Sequence, residues 1–203
     1  MTPQDLAHLI RTRAKDHPRR FMVAVAGPPG AGKSTVAAEL VQLIGAGARV
    51  VPMDGLHYDD GVLNARGLRA RKGAPETFDV AGFANLMTRL AVEPEVAIPI
   101  FDRSMELSRA AADIVGPEDR ILVFEGNYLL LDEGPWRALG PRFDLTVMLD
   151  VTEAELIRRL TARWLHYGKT PQAAADWIAS NDLPNVRRVL QGSRPADISV
   201  PNE

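Results

Sequence analysis

The sequence predicts an α/β fold of three layers, with a mainly parallel central sheet between two layers of helices. Three observations carry this. Apolar, β-prone runs alternate along the chain with helical segments, the order that builds parallel sheets. The run Ile121-Leu122-Val123-Phe124 is apolar at every position, as in strands covered on both faces. Between the first such run and the first long helix stands a glycine-rich segment, residues 27–34.

The elements follow in order. Leu6, Leu9, Ile10 and Arg13 fall at helical spacing, so 4–16 is a short amphipathic helix. Residues 20–26 are a strand and 33–44 a helix, which Gly45 and Gly47 end. A second strand covers 49–53, with Asp54 at its end. Residues 55–78 are polar, glycine-rich and without a clear period. Asp79 caps a helix that runs to about 90. The short strand 97–101 belongs near a sheet edge, because Pro99 cannot donate to a ladder. Strands at 121–124 and 145–149 are apolar throughout or nearly so. A charged helix follows at 152–166 and another at 171–180; Pro184 interrupts the pattern, and 196–200 is a last strand. No repeat, low-complexity tract or linker divides the chain, so a single domain over 1–203 is expected, with a substrate-binding insert at about 55–78 and a lid at about 158–170.

Gly27-Pro28-Pro29-Gly30-Ala31-Gly32-Lys33-Ser34 fits the pattern G-x-x-x-x-G-K-[ST] without a mismatch, and Thr35 follows it. Strand before and helix after are the setting in which this loop binds phosphate. Its glycines let backbone N–H groups turn inward, and the helix start adds unpaired donors and a positive dipole end. In this P-loop NTPase pattern Gly27, Gly30, Ala31, Gly32, Lys33, Ser34 and Thr35 hold the nucleotide. Lys33 reaches the β- and γ-phosphates of ATP, and Ser34 ligates Mg²⁺.

Composition narrows the classes. The 203 residues carry a net charge of −2, which argues against a nucleic-acid binder working through a broad basic face. The chain has no cysteine, which excludes disulfides, thiolate catalysis and Cys-ligated zinc and fits a reducing cytoplasm. The four histidines show no metal-ligand spacing. No apolar run approaches the roughly 20 residues that span a bilayer, and the N-terminus is too polar for a signal peptide. The sequence does not set an oligomeric state; a homodimer is compatible with it.

In open parallel sheets ligands bind beyond the carboxyl ends of the strands. Three such ends carry polar groups here: the loop 27–34, Asp54 and Glu125. Phosphoryl transfer needs charge neutralisation, a metal and an acceptor held in line. Glu125 stands where nucleotide-binding domains place a metal-coordinating or water-holding acid. Asp54 is the candidate for activating an acceptor hydroxyl, although a turn before Gly55 or a metal-bound water would also use it. Arg159 and Arg163 share a helix face and, with Arg158, can close over phosphates; a solvated face is the competing reading. His57 and Tyr58 follow Asp54 closely enough to touch the same substrate. Asp102 and Arg103 end the strand 97–101, and Asn127 follows Glu125; each can read hydroxyls. Arg66, Arg69, Arg71 and Lys72 can bind an anionic substrate, but such a run is often merely exposed. A phosphorylated acceptor would favour that cluster, and a neutral sugar would favour Asp102, Asn127 and His57. Asn181 and Asn185 either touch the base or terminate helices.

Several motifs occur together in order: Gly-Pro-Pro-Gly-Ala-Gly-Lys-Ser-Thr (27–35), Met-Asp-Gly-Leu-His-Tyr (53–58), Arg-Lys-Gly-Ala-Pro-Glu-Thr-Phe-Asp (71–79), Pro-Ile-Phe-Asp-Arg (99–103), Glu-Gly-Asn-Tyr-Leu-Leu (125–130) and Ala-Asp-Ile-Ser-Val-Pro (196–201). This set resembles the phosphoribulokinase/uridine kinase family. The branch it most resembles is that of the bacterial fructose transport system kinases, which are similar to bacterial pantothenate kinases. The resemblance implies an ATP- and Mg²⁺-dependent kinase of a small-molecule alcohol. It implies Asp54 as base, Glu125 near the metal, and an arginine-rich lid over 158–169; from the basic cluster, Arg71 is the candidate substrate residue. The lid departs from uridine kinases in reading Arg163-Trp164-Leu165-His166-Tyr167-Gly168-Lys169.

Two other classes compete. A P-loop ATPase coupled to a protein partner would need an Asp-Glu pair where this chain has Glu125-Gly126, and a guanine-specific switch would need an Asn-Lys-x-Asp motif, which is absent. A nucleotide-binding regulator without turnover would not need both Asp54 and Glu125.

Overall fold

The computed structural model describes residues 1–202. Five strands form one parallel sheet: β1 (Phe21–Ala26), β2 (Ala48–Pro52), β5 (Ile121–Gly126), β6 (Leu145–Asp150) and β7 (Ile198–Pro201), in the order β2-β5-β1-β6-β7. β1 and β5 are buried at every position, as their unbroken apolar runs require.

Side chains alternate between the two faces of the sheet, so two cores result. Val23, Val25 and Val123 face one layer of helices: α1 (Pro3–Ala14, through Leu6 and Ile10), α2 (Lys33–Ile44, through Ala37 and Leu40) and α5 (Glu153–His166, through Leu156 and Leu160). Met22, Ala24, Leu122 and Phe124 face α4 (Val80–Val92), which contributes Phe83, Leu86, Met87 and Leu90. Side-chain caps start two of these helices, the one from Asp79 as expected. Thr2 and Asp5 form a capping box on α1, and Asp79 accepts from the Gly82 N–H on α4.

The strand expected at 97–101 is not at an edge of the main sheet. β3 (Val96–Asp102) pairs antiparallel with β4 (Leu107–Val115) in a separate hairpin. Pro99 sits where the pairing register shifts between Ile98 and Ile100, so its missing N–H interrupts no ladder bond. β4 was not expected: Leu-Ser-Arg-Ala-Ala-Ala carries no apolar alternation, and only Val115 of the strand is buried.

Two further differences concern the helices. Residues 55–78 hold a short helix, α3 (Asp60–Ala65), between tight helical turns. The helix expected at 171–180 is α6 (Pro171–Trp177); it passes through a wide turn at 178–182 into α7 (Leu183–Gly192). Pro184 does not interrupt that last helix. It stands in the first turn of α7, where its missing N–H costs nothing.

Buried Arg20 ties the layers together at the end of the sheet opposite the loop. Its guanidinium donates to the backbone oxygens of Asp119, Leu90, Glu93, Pro94 and Gly116, at 2.5–2.9 Å.

Candidate active site

Register brings the three polar strand ends together. β5 lies between β1 and β2, with Ala26 level with Gly126 and Pro52 level with Glu125. The loop beginning at Gly27 and the turn carrying Asp54 therefore leave the sheet on either side of Glu125. All three border one cavity of about 590 Å³.

The loop has the geometry its glycines allow. Gly30 and Gly32 adopt φ of 85° and 84°, a left-handed region that costs a residue with a Cβ roughly 1–2 kcal/mol. Gly32 caps α2 without any side-chain hydrogen bond, so the first-turn N–H groups are left for an anion. Lys33 is buried and its Nζ donates to Pro28 O at 2.9 Å. Burial pushes its pKa down to about 8, against the pull of Glu125 and Asp54.

Glu125 is buried and its pKa is raised, by burial first and then by the charge of Asp54; Lys33 and the neighbouring Ser34 hydroxyl act the other way. An additional cation between Ser34, Glu125 and Asp54 would relieve this. The donors are all oxygens, which suits a hard cation such as Mg²⁺ that keeps waters and phosphate oxygens as its other ligands. No cluster of three or more His, Cys, Asp or Glu side chains makes a closed metal cage among the described residues.

Asp54 lies in a tight turn, Met53–Leu56, directly after β2. Close packing holds this turn. A Cβ on Gly55 would stand 2.3 Å from Pro99 O, so the turn and the hairpin touch backbone to backbone. Arg103, near the hairpin tip, donates to Asp54 Oδ2. His57 Nδ1 lies 2.8 Å from Asp54 O, and its ring packs between Phe78 (3.9 Å between centroids) and Phe101 (4.9 Å). Burial lowers its pKa, which favours a neutral ring on the cavity wall.

Of the residues the sequence nominates, Gly30, Gly32, Lys33, Ser34, Thr35, Asp54, His57, Arg103, Glu125, Asn127 and Arg163 line the cavity. Gly27 and Ala31 shape the loop from behind; a Cβ on Gly27 would press on Ala31 and Leu149 at 3.1–3.2 Å. Four nominations fall elsewhere. Tyr58 lies under the Arg66 guanidinium, 4.4 Å from it. Arg71 donates to Ser180 O, Asn181 Oδ1 and Asn185 Oδ1, and so clamps the turn between α6 and α7. Asp102 accepts from Ser104 and Met105 and shapes the hairpin tip. Arg159 braces the loop from outside, bonded to Glu155 and Asn202 O, with Gly30 O at 3.5 Å.

Arg69 and Lys72 of the basic cluster, Asn181 and Asn185, and Trp164 and Lys169 of the expected lid also line the cavity; Trp177 lines it without having been nominated. Trp164 donates to Asp182 Oδ2 at 2.7 Å and meets Trp177 edge-on at 5.8 Å between centroids. Arg163 lies over the rings of Trp164 and Tyr167, and Lys169 over those of Trp164 and Trp177. The Trp177 indole N–H is buried and has no hydrogen-bond partner among the described residues, which costs about 1–3 kcal/mol unless a ligand or water supplies one.

A model of the phosphoribulokinase/uridine kinase family matches residues 22–188, which include the loop, both acids and the aromatic wall. The chain belongs to that family. Its members are kinases, and this one is accordingly an ATP-using phosphotransferase with a small-molecule alcohol as acceptor. The Escherichia coli K12 protein YggC, itself uncharacterized, is 35% identical over 202 residues, covering 96% of this chain and 84% of its own. A pantothenate kinase of Cutibacterium acnes is 32% identical over 173 residues, covering 74% of this chain but only 50% of the enzyme. The crystal structure of a "putative fructose transport system kinase" from Silicibacter sp. TM1040 superposes with a TM-score of 0.95 at 42% identity, covering 99% of this chain and 100% of that one. Among the described residues no helix is long and apolar enough to cross a membrane.

Proposed function

We propose that this kinase transfers the γ-phosphoryl group of ATP, with Mg²⁺, to a hydroxyl of a small cytoplasmic metabolite, a sugar such as fructose or a related compound. One observation carries the reading: Lys33, Asp54 and Glu125, from three separate strand ends, border the same cavity.

The loop N–H groups and Lys33 bind the β- and γ-phosphates. Ser34 and Glu125 would hold Mg²⁺, which would neutralise charge on the phosphates. Asp54 accepts the acceptor's hydroxyl proton as its oxygen bonds to the γ-phosphorus and the bond to the β,γ-bridging oxygen breaks, which leaves ADP. Arg103 fixes one Asp54 oxygen and leaves the other for the hydroxyl. Arg163, in the lid, moves from its aromatic rest position to the transferring group. His57 and Asn127 line the acceptor's path.

The test is a panel of alcohols, including sugars, pantothenate and nucleosides, with ADP release and the phosphoester both measured. Release stimulated by one alcohol, with its ester recovered, supports the reading. Stimulation by a protein alone would move it to a coupled ATPase.

A further inference from the structure

Beyond the phosphate loop and Asp54, the cavity wall carries an excess of donors. The path to them is continuous. His57 adjoins Asp54, Phe101 lies 4.9 Å from His57, and the Lys72 ammonium lies 5.4 Å over the Phe101 ring. Lys72 and Arg69 share a single carboxylate, that of Asp60, each at 2.7 Å. The Lys72 side chain is 9% exposed, and its Nζ also donates to Glu106 O. Arg69 uses only Nε on Asp60; its terminal amines make no hydrogen bond among the described residues.

The same wall holds the orphan donor. Asn181 Nδ2 donates to Lys72 O, and Trp177 is one turn before Asn181. Lys169 stands 5.0 Å over the Trp177 ring. Three cations and a residue with a buried, unpaired indole N–H thus line the same cavity. The opposing carboxylates do not balance them. Asp60 is divided between two cations, Asp182 is engaged by Trp164, and Glu106 is exposed at the hairpin tip, where water screens it.

We infer that the acceptor alcohol carries an anionic oxygen group, a carboxylate or a phosphate, which seats on Arg69, Lys72 and Lys169 and accepts from the Trp177 N–H. This rests on the kinase reading but replaces its neutral sugar: the acceptor is a related compound that is a hydroxy acid or an alcohol already phosphorylated, since fructose itself would leave these donors unmet.

Matched pairs that differ only in the charged group test it: glycerate against glycerol, gluconate against sorbitol, pantothenate against pantothenyl alcohol, and a pentulose 5-phosphate against the free pentulose. The anionic member of at least one pair is expected to have at least a 100-fold higher kcat/KM. Carboxylate and phosphate pairs distinguish the two sources. Lys72→Gln and Trp177→Phe should each raise KM for that acceptor about 10-fold or more, the strength of a charge-assisted hydrogen bond, with a smaller change in kcat. Lys72→Arg should restore much of the loss, which a merely structural lysine would not require. Equal or better use of the neutral members overturns the inference and leaves the kinase standing. If no alcohol of either kind is phosphorylated while ATP binds, both fall. Equilibrium binding of malonate and inorganic phosphate beside a non-hydrolysable ATP analogue gives a readout without turnover. Saturable binding lost in Lys72→Gln supports the site, and none in the wild type counts against it.

Discussion

Arg103 donates to the carboxylate of Asp54 across the gap between the β3–β4 hairpin and the end of β2. The hairpin thereby orients the proposed base, although the two residues are 49 apart in sequence. Asp54→Asn should keep the shape and the ATP site but lose the proton acceptor. We expect kcat to fall by about 10²–10⁴-fold with ATP affinity retained. Arg103→Ala should cost less, about 10-fold in kcat, through a loosened Asp54. Steady-state kinetics with nucleotide binding measured separately checks both.

Lys33 makes pH a probe of the loop. In the folded protein it loses its proton near pH 8, against an ordinary value of 10.5. Its ammonium is what phosphate oxygens bind, so ATP affinity should fall as pH rises through about 8. Stability runs the other way. Between pH 8 and 10.5 the unfolded chain binds more protons at this group, so its contribution to stability rises with pH there. Below 8 the whole cost of burying the cation is present. Lys33→Met should therefore cripple turnover yet make the nucleotide-free protein more stable at pH 7, by about 1–3 kcal/mol, with the gap closing toward pH 10.5. Melts at the two ends of that window check the sign.

Glu125→Gln removes a buried charge beside Ser34 and Lys33. The Mg²⁺ concentration needed for half-maximal activity should rise about 10-fold or more. An unchanged metal titration would remove Glu125 from the metal's neighbourhood.

Arg20→Met would leave five backbone oxygens without their shared donor. The expected loss is about 3 kcal/mol or more, read as a shift of the urea midpoint, since buried acceptors without partners bear their full desolvation cost.

How much of this was legible in the sequence depended on how local the signal was. The central strands β1 and β5 announce themselves through unbroken apolar runs, and the phosphate loop through glycines that the backbone requires. Asp54 and Glu125 could be nominated because parallel strands end at one rim. Tyr58, Arg71 and Asp102 were misplaced because one residue's shift along a loop turns a side chain away, and only tertiary partners fix that direction. Arg71, for example, is drawn to Asn181 and Asn185, about 110 residues on. β4 stayed hidden because a hairpin strand with one buried residue, Val115, needs no apolar pattern. Trp177 has no local mark at all: its role depends on α6 folding back over Lys72.

The most direct test of the central claim follows the label of γ-³²P ATP in the wild type and in Asp54→Asn. The account predicts an acid-stable organic phosphoester that forms only when a suitable alcohol is present and that disappears in Asp54→Asn while ATP still binds. Label released solely as inorganic phosphate, at a rate no alcohol alters, or full transfer by Asp54→Asn, would contradict it.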